Sequence, residues 1–204
     1  MTSRTGNSES IATDLGASGD AELLLASARR EPAAFAELVN RYYRPVYRVV
    51  WRMTSGHADS EDIAQEAFVK LWRDPHQVRE AAALKGWLMK VASNAAIDRS
   101  RKRVHADLDA VPEIADQAAV ASAPLDRKQA ARLVDGRIAA LPERQRLALS
   151  LVYFEGLSNI EAAAVMETTI EAVESLLGRA RRSLRESLAS EWRDLLDGLS
   201  SAGS

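Results

Sequence analysis

Four cations fall within five residues at Arg99, Arg101, Lys102 and Arg103, and four more arginines, Arg179, Arg181, Arg182 and Arg185, recur along a helical stretch nearer the other end of the chain. Such groups make and break no covalent bonds; their chemistry is the neutralisation of phosphate. A cation block at a helix C-terminus also complements the helix dipole and keeps that end solvated. Four cations exceed what this plainer role needs, so local charge favours phosphate contact. Opposite in sign, Glu61 and Asp62 open a helical stretch that begins at Asp59, where the dipole by itself accounts for early acids.

Catalytic chemistry finds little support. There is no glycine-rich phosphate loop, no nucleophile beside a base and no ligand cluster. Cysteine is absent, which removes disulfides, thiolate metal sites and thiol redox sensing. His57, His76 and His105 lie far apart, none with a second ligand at helical spacing. The reading is therefore a non-enzyme that needs no cofactor and no metal. A net charge of −2 excludes a uniformly basic coat, so a nucleic-acid surface has to arise from clustering. No apolar run is long enough to span a bilayer and the polar N-terminus lacks a signal-peptide core, so the expectation is a cytoplasmic protein without membrane insertion.

The elements that must hold these charges are helical throughout. Alanine and leucine are abundant, aromatic residues make up 5% and β-branched runs are short. Residues 1–19, rich in Ser, Thr and Gly, read as a disordered tail. Asp20 offers a cap for AELLLASARR, and Pro32 suits the first turn of the next helix. There Phe35, Leu38, Val39, Tyr42, Val46, Val49, Val50 and Met53 form an apolar stripe, Pro45 predicts a kink or break, and Gly56 a stop. From Asp59 to Asp74 a further helix turns Ile63, Ala64, Ala67, Phe68, Leu71 and Trp72 to one face. A loop follows to Ala83, then a helix over 84–103 with Trp87, Leu88, Val91, Ala92, Ala95 and Ile97 as its apolar contacts.

Composition changes over 104–127, where Pro112, Pro124 and several acids replace apolar anchors, the mark of a flexible linker. A helix over about 126–140 and another from Pro142 to Gly156 then lead to two capping-box spacings, Ser158 with Glu161 and Thr168 with Glu171. The second opens a long helix whose Ile170, Val173, Leu177, Ala180, Leu184 and Leu188 predict one buried stripe. A short helix, a tight turn and a long arginine-bearing helix have the form of a helix-turn-helix. Residues 191–204 extend the last helix or fray. The chain reads as all-α: a tail over 1–19, a small helical domain over 20–103, a linker over 104–127, a helix-turn-helix domain over 128–190 and a tail over 191–204.

Two stretches carry a family resemblance. DSEDIAQEAFVKLWRD followed by LKGWLMKVASNAAIDRSRKR resembles region two of the extracytoplasmic-function (ECF) sigma factors of the sigma-70 family, and LPERQRLALSLVYFEGLSNIEAAAVMETTIEAVESLLGRARRSLR resembles their region four. The likeness covers nearly everything from residue 21 to 188, in the right order and with the linker in place. It implies a factor that binds core RNA polymerase, directs it to promoters and promotes strand opening, with no enzyme activity of its own.

By that resemblance Asp62, Gln65, Glu66, Val69 and Lys70 face the clamp helices of the polymerase β′ subunit, and the β subunit is also a partner. Exposed acids beside apolar surface suit a partner presenting arginine. The helix from Trp87 to Arg103 would face promoter DNA at the −10 element, with Asn94 on a flipped base, since an amide both donates and accepts. Lys85, Lys90, Arg99, Arg101 and Arg103 would follow the strand's phosphates, and Asp98 would orient an arginine. At the −35 element the helix from Ile170 would enter the major groove, with Ser175, Arg179, Arg182 and Arg185 as contacts. An anti-sigma factor is the further partner the resemblance implies.

The chain departs from the family pattern at three positions: a small residue, a cation and an arginine are common where it has Glu171, Glu174 and Leu176. Either Glu174 accepts from a cytosine amino group, or both glutamates belong to the helix start and affinity rests on arginines at phosphates. The linker acids either mimic nucleic acid in the polymerase cleft or form a solvated tether. Rival readings are a helix-turn-helix regulator that recruits no polymerase, which leaves the acidic helix without purpose, and a protein-binding scaffold derived from a sigma factor.

Overall fold

Pro32 opens α2, which runs from Pro32 to Met53 after a shorter α1 over Asp20–Ala28. In this computed structural model the described residues are 15–107 and 134–201, with side chains described for 15–102 and 134–189. Of the tail expected over 1–19, residues 1–14 lie outside them, whereas 15–17 are helical and the Leu15 and Gly16 carbonyls accept from Arg41; of the linker expected over 104–127, residues 104–107 continue the helix from Leu84, and the rest, with the beginning of the helix expected near 126, lies outside. Every regular element among the described residues is helical, so the all-α expectation holds. The chain clusters into two compact units, one of residues up to Trp51 with Gly56–Ala96, the other of Arg52–Ser55 with everything from Ile97.

In the first unit, α3 (Ser60–Arg73) and the part of α4 (Leu84–Asp107) up to Ala96 follow α2, the two helices separated by short 3-10 turns at Pro75–Gln77 and Ala81–Ala83. Those turns occupy the stretch expected as a plain loop, and α1 packs on both. The core draws on all four helices: Leu23 from α1, Leu38, Val46 and Val49 from α2, Ile63 and Leu71 from α3, Leu84, Leu88 and Met89 from α4, all with no exposed surface. Each such side chain contributes on the order of 1.5–3 kcal/mol of burial. Met89, absent from the expected apolar set, is wholly buried, whereas Trp87 is only partly so.

One local expectation fails, and of the two outcomes expected at Pro45 the break does not occur. Gly19, not Asp20, is the N-cap of α1; the Asp20 carboxylate instead accepts from Arg41 at 3.0 Å and from the Tyr42 hydroxyl. Burial, then that hydrogen bond, pushes the Tyr42 phenol up to about 12. At Pro45 the helix does not break. Proline removes one donor, but Val46, Val49 and Val50 are buried on the following turn and keep the chain helical.

Arg30 joins the α1–α2 turn to the end of α3. Its φ of 64° is left-handed, and its guanidinium donates to the carbonyls of Trp72 at 2.5 Å and Arg73 at 3.2 Å while lying 5.4 Å from the Trp72 ring centroid. These are the orphan carbonyls of a helix C-terminus. Trp72 tilts against Phe35 at 4.8 Å.

In the second unit, α5 (Glu143–Leu149) passes into a π turn at Ser150–Phe154, and α6 (Asn159–Val165) and α7 (Ile170–Ser201) follow. Gly156, at φ 69°, supplies the left-handed residue after the π turn. Both α5 and α6 pack on α7. Arg146 of α5 is buried and donates to the Ala139 carbonyl at 2.8 Å; burial lowers its pKa. The α7 stripe is shorter than expected: Val173, Leu177 and Ala180 are buried, Leu184 is half-buried, and Ile170 and Leu188 are exposed.

Candidate nucleic-acid interface and partner face

Helical geometry puts Asp62, Gln65, Glu66, Val69 and Lys70 on one side of α3, three or four residues apart. The opposite side carries the buried Ile63, Ala67 and Leu71. All five residues of the outer stripe are exposed. Val69, 44% exposed, is an apolar residue beside the ion pair formed by Lys70 and Glu66 at 3.6 Å, about two turns on from the acids of the first turn. α2 adds a residue that periodicity alone did not single out. Tyr43 shares hydrogen bonds with Gln65 and Glu61, and burial is the first cause raising its pKa. Its ring stacks on Tyr47 at 6.1 Å and tilts on Phe68 at 6.0 Å. The signal was Tyr43–Tyr47 spacing on a helix already assigned an apolar stripe.

On α4 the polar residues divide. At about 3.6 residues per turn, Lys90, Asn94 and Arg101 fall on one side with Trp87 and Asp98. Asn94 and Arg101 are exposed, Trp87 and Lys90 half-buried. Lys85 lies nine residues before Asn94, about two and a half turns away and so on the other side of the helix. Arg99 is exposed but also turned well away from Asn94. Arg103 belongs to α4, its side chain outside the described residues. The helix thus gathers a polar face around Asn94 and does not bring every expected cation to it.

The α6–α7 pair forms from two different caps. Ser158 and Glu161 make the full capping box, with the Ser158 hydroxyl accepting from the Glu161 N–H at 3.2 Å and the Glu161 carboxylate accepting from the Ser158 N–H at 2.7 Å. At α7 the expected Thr168–Glu171 box does not form. The helix begins at Ile170, and Thr169 accepts from the Ala172 N–H at 3.2 Å, because the turn after α6 takes one more residue, with Glu167 at φ 49°.

The two glutamates of α7 then part company. Glu171 is in the first turn, where its own backbone N–H and then the Thr169 hydroxyl hold its carboxyl below the usual carboxylate range. Glu174, a turn further on, accepts from the Asn159 side chain at 3.4 Å and so ties α7 to the start of α6. Ser175, Arg179, Arg182 and Arg185 are all exposed. Arg179 donates to the Ser175 hydroxyl at 3.0 Å. Buried Val173, Leu177 and Ala180 occupy the other side of α7, so these four form an outward polar surface. Its chemistry is that of hydrogen-bond donors to acceptor oxygens. Among the described residues no group of three or more His, Asp and Glu could hold a metal ion, and no helix is long and apolar enough to cross a membrane.

Both parts of the chain match known proteins. The family model for sigma-70 region 2 matches residues 38–105, and that for sigma-70 region 4 matches residues 131–184. The ECF RNA polymerase sigma factor SigE of Mycolicibacterium smegmatis is 31% identical over 157 residues, which cover 75% of this chain and 61% of that protein. The ECF RNA polymerase sigma factor SigM of Mycobacterium tuberculosis is 30% identical over 168 residues, covering 81% of this chain and 82% of that one. Among solved structures, that of CnrH in complex with the cytosolic domain of CnrY is 25% identical with a TM-score of 0.64, over 85% of this chain and 99% of the other.

Proposed function

This chain belongs to the extracytoplasmic-function group of the sigma-70 family and is a DNA-binding sigma factor, and from that premise we propose a division of labour along it. Residues 20–103 engage core RNA polymerase and the −10 element, residues 128–190 the −35 element, and residues 104–127 link the two. The factor acts in the cytoplasm, where core polymerase and promoter DNA are its partners, and an anti-sigma factor covering the polymerase-facing surface controls it.

One observation carries the reading: α3 and α4, consecutive helices in the chain, expose faces of unlike chemistry. The α3 face of Asp62, Gln65, Glu66, Val69 and Lys70 carries two acids and one exposed apolar residue, a composition that suits a basic protein surface. The α4 face of Trp87, Lys90, Asn94, Asp98 and Arg101 combines an aromatic ring, an amide and cations, the set that holds an unstacked base beside a phosphate backbone. A regulator that only binds duplex DNA needs neither face.

Promoter melting follows from that pairing. Polymerase held at α3 brings the duplex to α4, and a base captured near Asn94 offsets part of the few kcal/mol that unstacking costs. In the second unit, Ser175 and Arg179 reach toward base edges and Arg182 and Arg185 toward phosphates. The test is a binding titration of the purified chain against sigma-free core polymerase, followed by permanganate mapping of unpaired thymines on promoter fragments. The reading requires saturable one-to-one binding and a single melted segment per promoter; failure to bind core removes it.

A further inference from the structure

We propose that Tyr43 is a positioning residue of the polymerase-facing surface: its hydroxyl holds the Gln65 amide with the carbonyl oxygen outward, so that Asp62, Gln65 and Glu66 together present acceptors to a guanidinium group of the partner. The proposal rests on the reading of the α3 face as the one that engages core polymerase.

An exposed glutamine can offer a partner either end of its amide, the acceptor oxygen or the donor NH2. Gln65 is exposed and has the exposed acids Asp62 and Glu66 beside it on α3. The end it shows decides whether this part of the face is made of acceptors alone. On its other flank Gln65 lines up with Glu61 and Phe68, at i, i+4 and i+7 along α3, and Tyr43 of α2 meets all three. Its ring lies 6.0 Å from that of the buried Phe68 and 6.1 Å from that of Tyr47, one turn further along α2. Its hydroxyl shares hydrogen bonds with Gln65 and Glu61.

A phenol has one proton, and a carboxylate can only accept. For both bonds to hold at once, the Tyr43 hydroxyl donates to Glu61, which leaves its oxygen as the acceptor for the Gln65 NH2. With its NH2 end engaged, the planar amide turns its carbonyl oxygen away from Tyr43 and into reach of a partner. Acceptors at Asp62, Gln65 and Glu66, all within little more than one turn, suit the fork of donors on an arginine better than the point charge of a lysine. The ring contacts say why a tyrosine serves here. Packed on Phe68 and Tyr47, the ring brings its hydroxyl to Gln65 with little side-chain freedom left to lose.

The substitution that tests this is Tyr43→Phe, which keeps the ring contacts and removes the hydroxyl, combined with Gln65→Ala in a cycle of full-length chains, each titrated against sigma-free core polymerase at one salt concentration. Tyr43→Phe is expected to weaken core binding about fivefold on its own and less than about twofold when Gln65 is already alanine. A merely structural role would cost the same in both backgrounds. Gln65→Glu, which shows an oxygen whichever way it turns, is expected to bind core more tightly than Gln65→Ala. An affinity for Tyr43→Phe within about twofold of the unsubstituted chain overturns the proposal, as does an equal loss in the two backgrounds or a Gln65→Glu chain that binds more weakly than Gln65→Ala. If the unsubstituted chain does not bind core, the polymerase-facing reading falls and takes this proposal with it; binding by the unsubstituted chain with an additive cycle overturns the proposal alone.

Discussion

The Thr169 hydroxyl accepts the Ala172 backbone N–H at 3.2 Å, which starts α7 one residue later than the Thr168–Glu171 spacing predicts. That shift puts Glu171 in the second position of the helix, where it bonds its own backbone N–H and the Thr169 hydroxyl. Thr169→Ala should therefore destabilise the second unit by about 1 kcal/mol, while Thr168→Ala should be nearly neutral. Urea denaturation of both variants distinguishes the two assignments.

The same contact makes a prediction about pH. Because the folded carboxyl of Glu171 titrates lower than in the unfolded chain, its contribution to stability is fully present above the ordinary carboxylate pKa and is lost as pH falls through the lowered folded value. In Thr169→Ala the Glu171 pKa, followed by NMR titration, should rise toward the ordinary value without reaching it, since the larger cause, its own backbone N–H, remains. An unchanged pKa would remove the Thr169 hydroxyl from the account.

Arg30 offers a prediction about the first unit. Arg30→Ala loses the donors to Trp72 and Arg73 and the contact with the indole, and leaves an alanine at φ 64°. Arg30→Gly loses the same contacts but relieves the backbone. The expected losses are about 1–2 kcal/mol for alanine and a smaller one for glycine. Equal losses would mean the left-handed backbone carries no strain.

For the α3 face, reversing two charges with Asp62→Lys and Glu66→Lys should slow association with core polymerase at least tenfold, roughly, and flatten its salt dependence. The fold should be little affected, since the Glu66–Lys70 pair is exposed and such pairs contribute about 0–1 kcal/mol. Association kinetics at several salt concentrations give the answer; unchanged rates would move the polymerase face elsewhere.

Asn94→Ala should reduce the melted fraction of promoter complexes more than it reduces their formation, because the amide acts once the base has left the stack. Permanganate reactivity set against total complex measures the split. Loss of core association instead would mean that α3 and α4 do not divide their partners as proposed.

How much of this was legible in the sequence depends on the range of the interaction that decides it. The helical character and the stripes centred on Val49, Ile63 and Leu88 follow from periodicity, a property of a few consecutive turns. The Ser158–Glu161 box was legible for the same reason, as both partners lie within one turn. Thr168 and Thr169 are identical as side chains, and only the length of the preceding turn, with Glu167 left-handed, chooses between them. Asp20 looked like a cap because its partners, Arg41 and Tyr42, are a helix away. Arg30 over Trp72 is a contact across 42 positions, invisible to any local pattern. Lys85 and Asn94 differ: counting turns would have parted them, and grouping α4's polar residues by charge concealed it.

The most direct measurement of the central claim is run-off transcription from fragmented genomic DNA by sigma-free core polymerase, with and without the purified chain. A sigma factor yields a small set of discrete transcripts with defined start sites only when the chain is present, and these weaken together when Asp62 and Glu66 are reversed in charge. Identical products with and without the chain, at concentrations saturating for core polymerase, would contradict it.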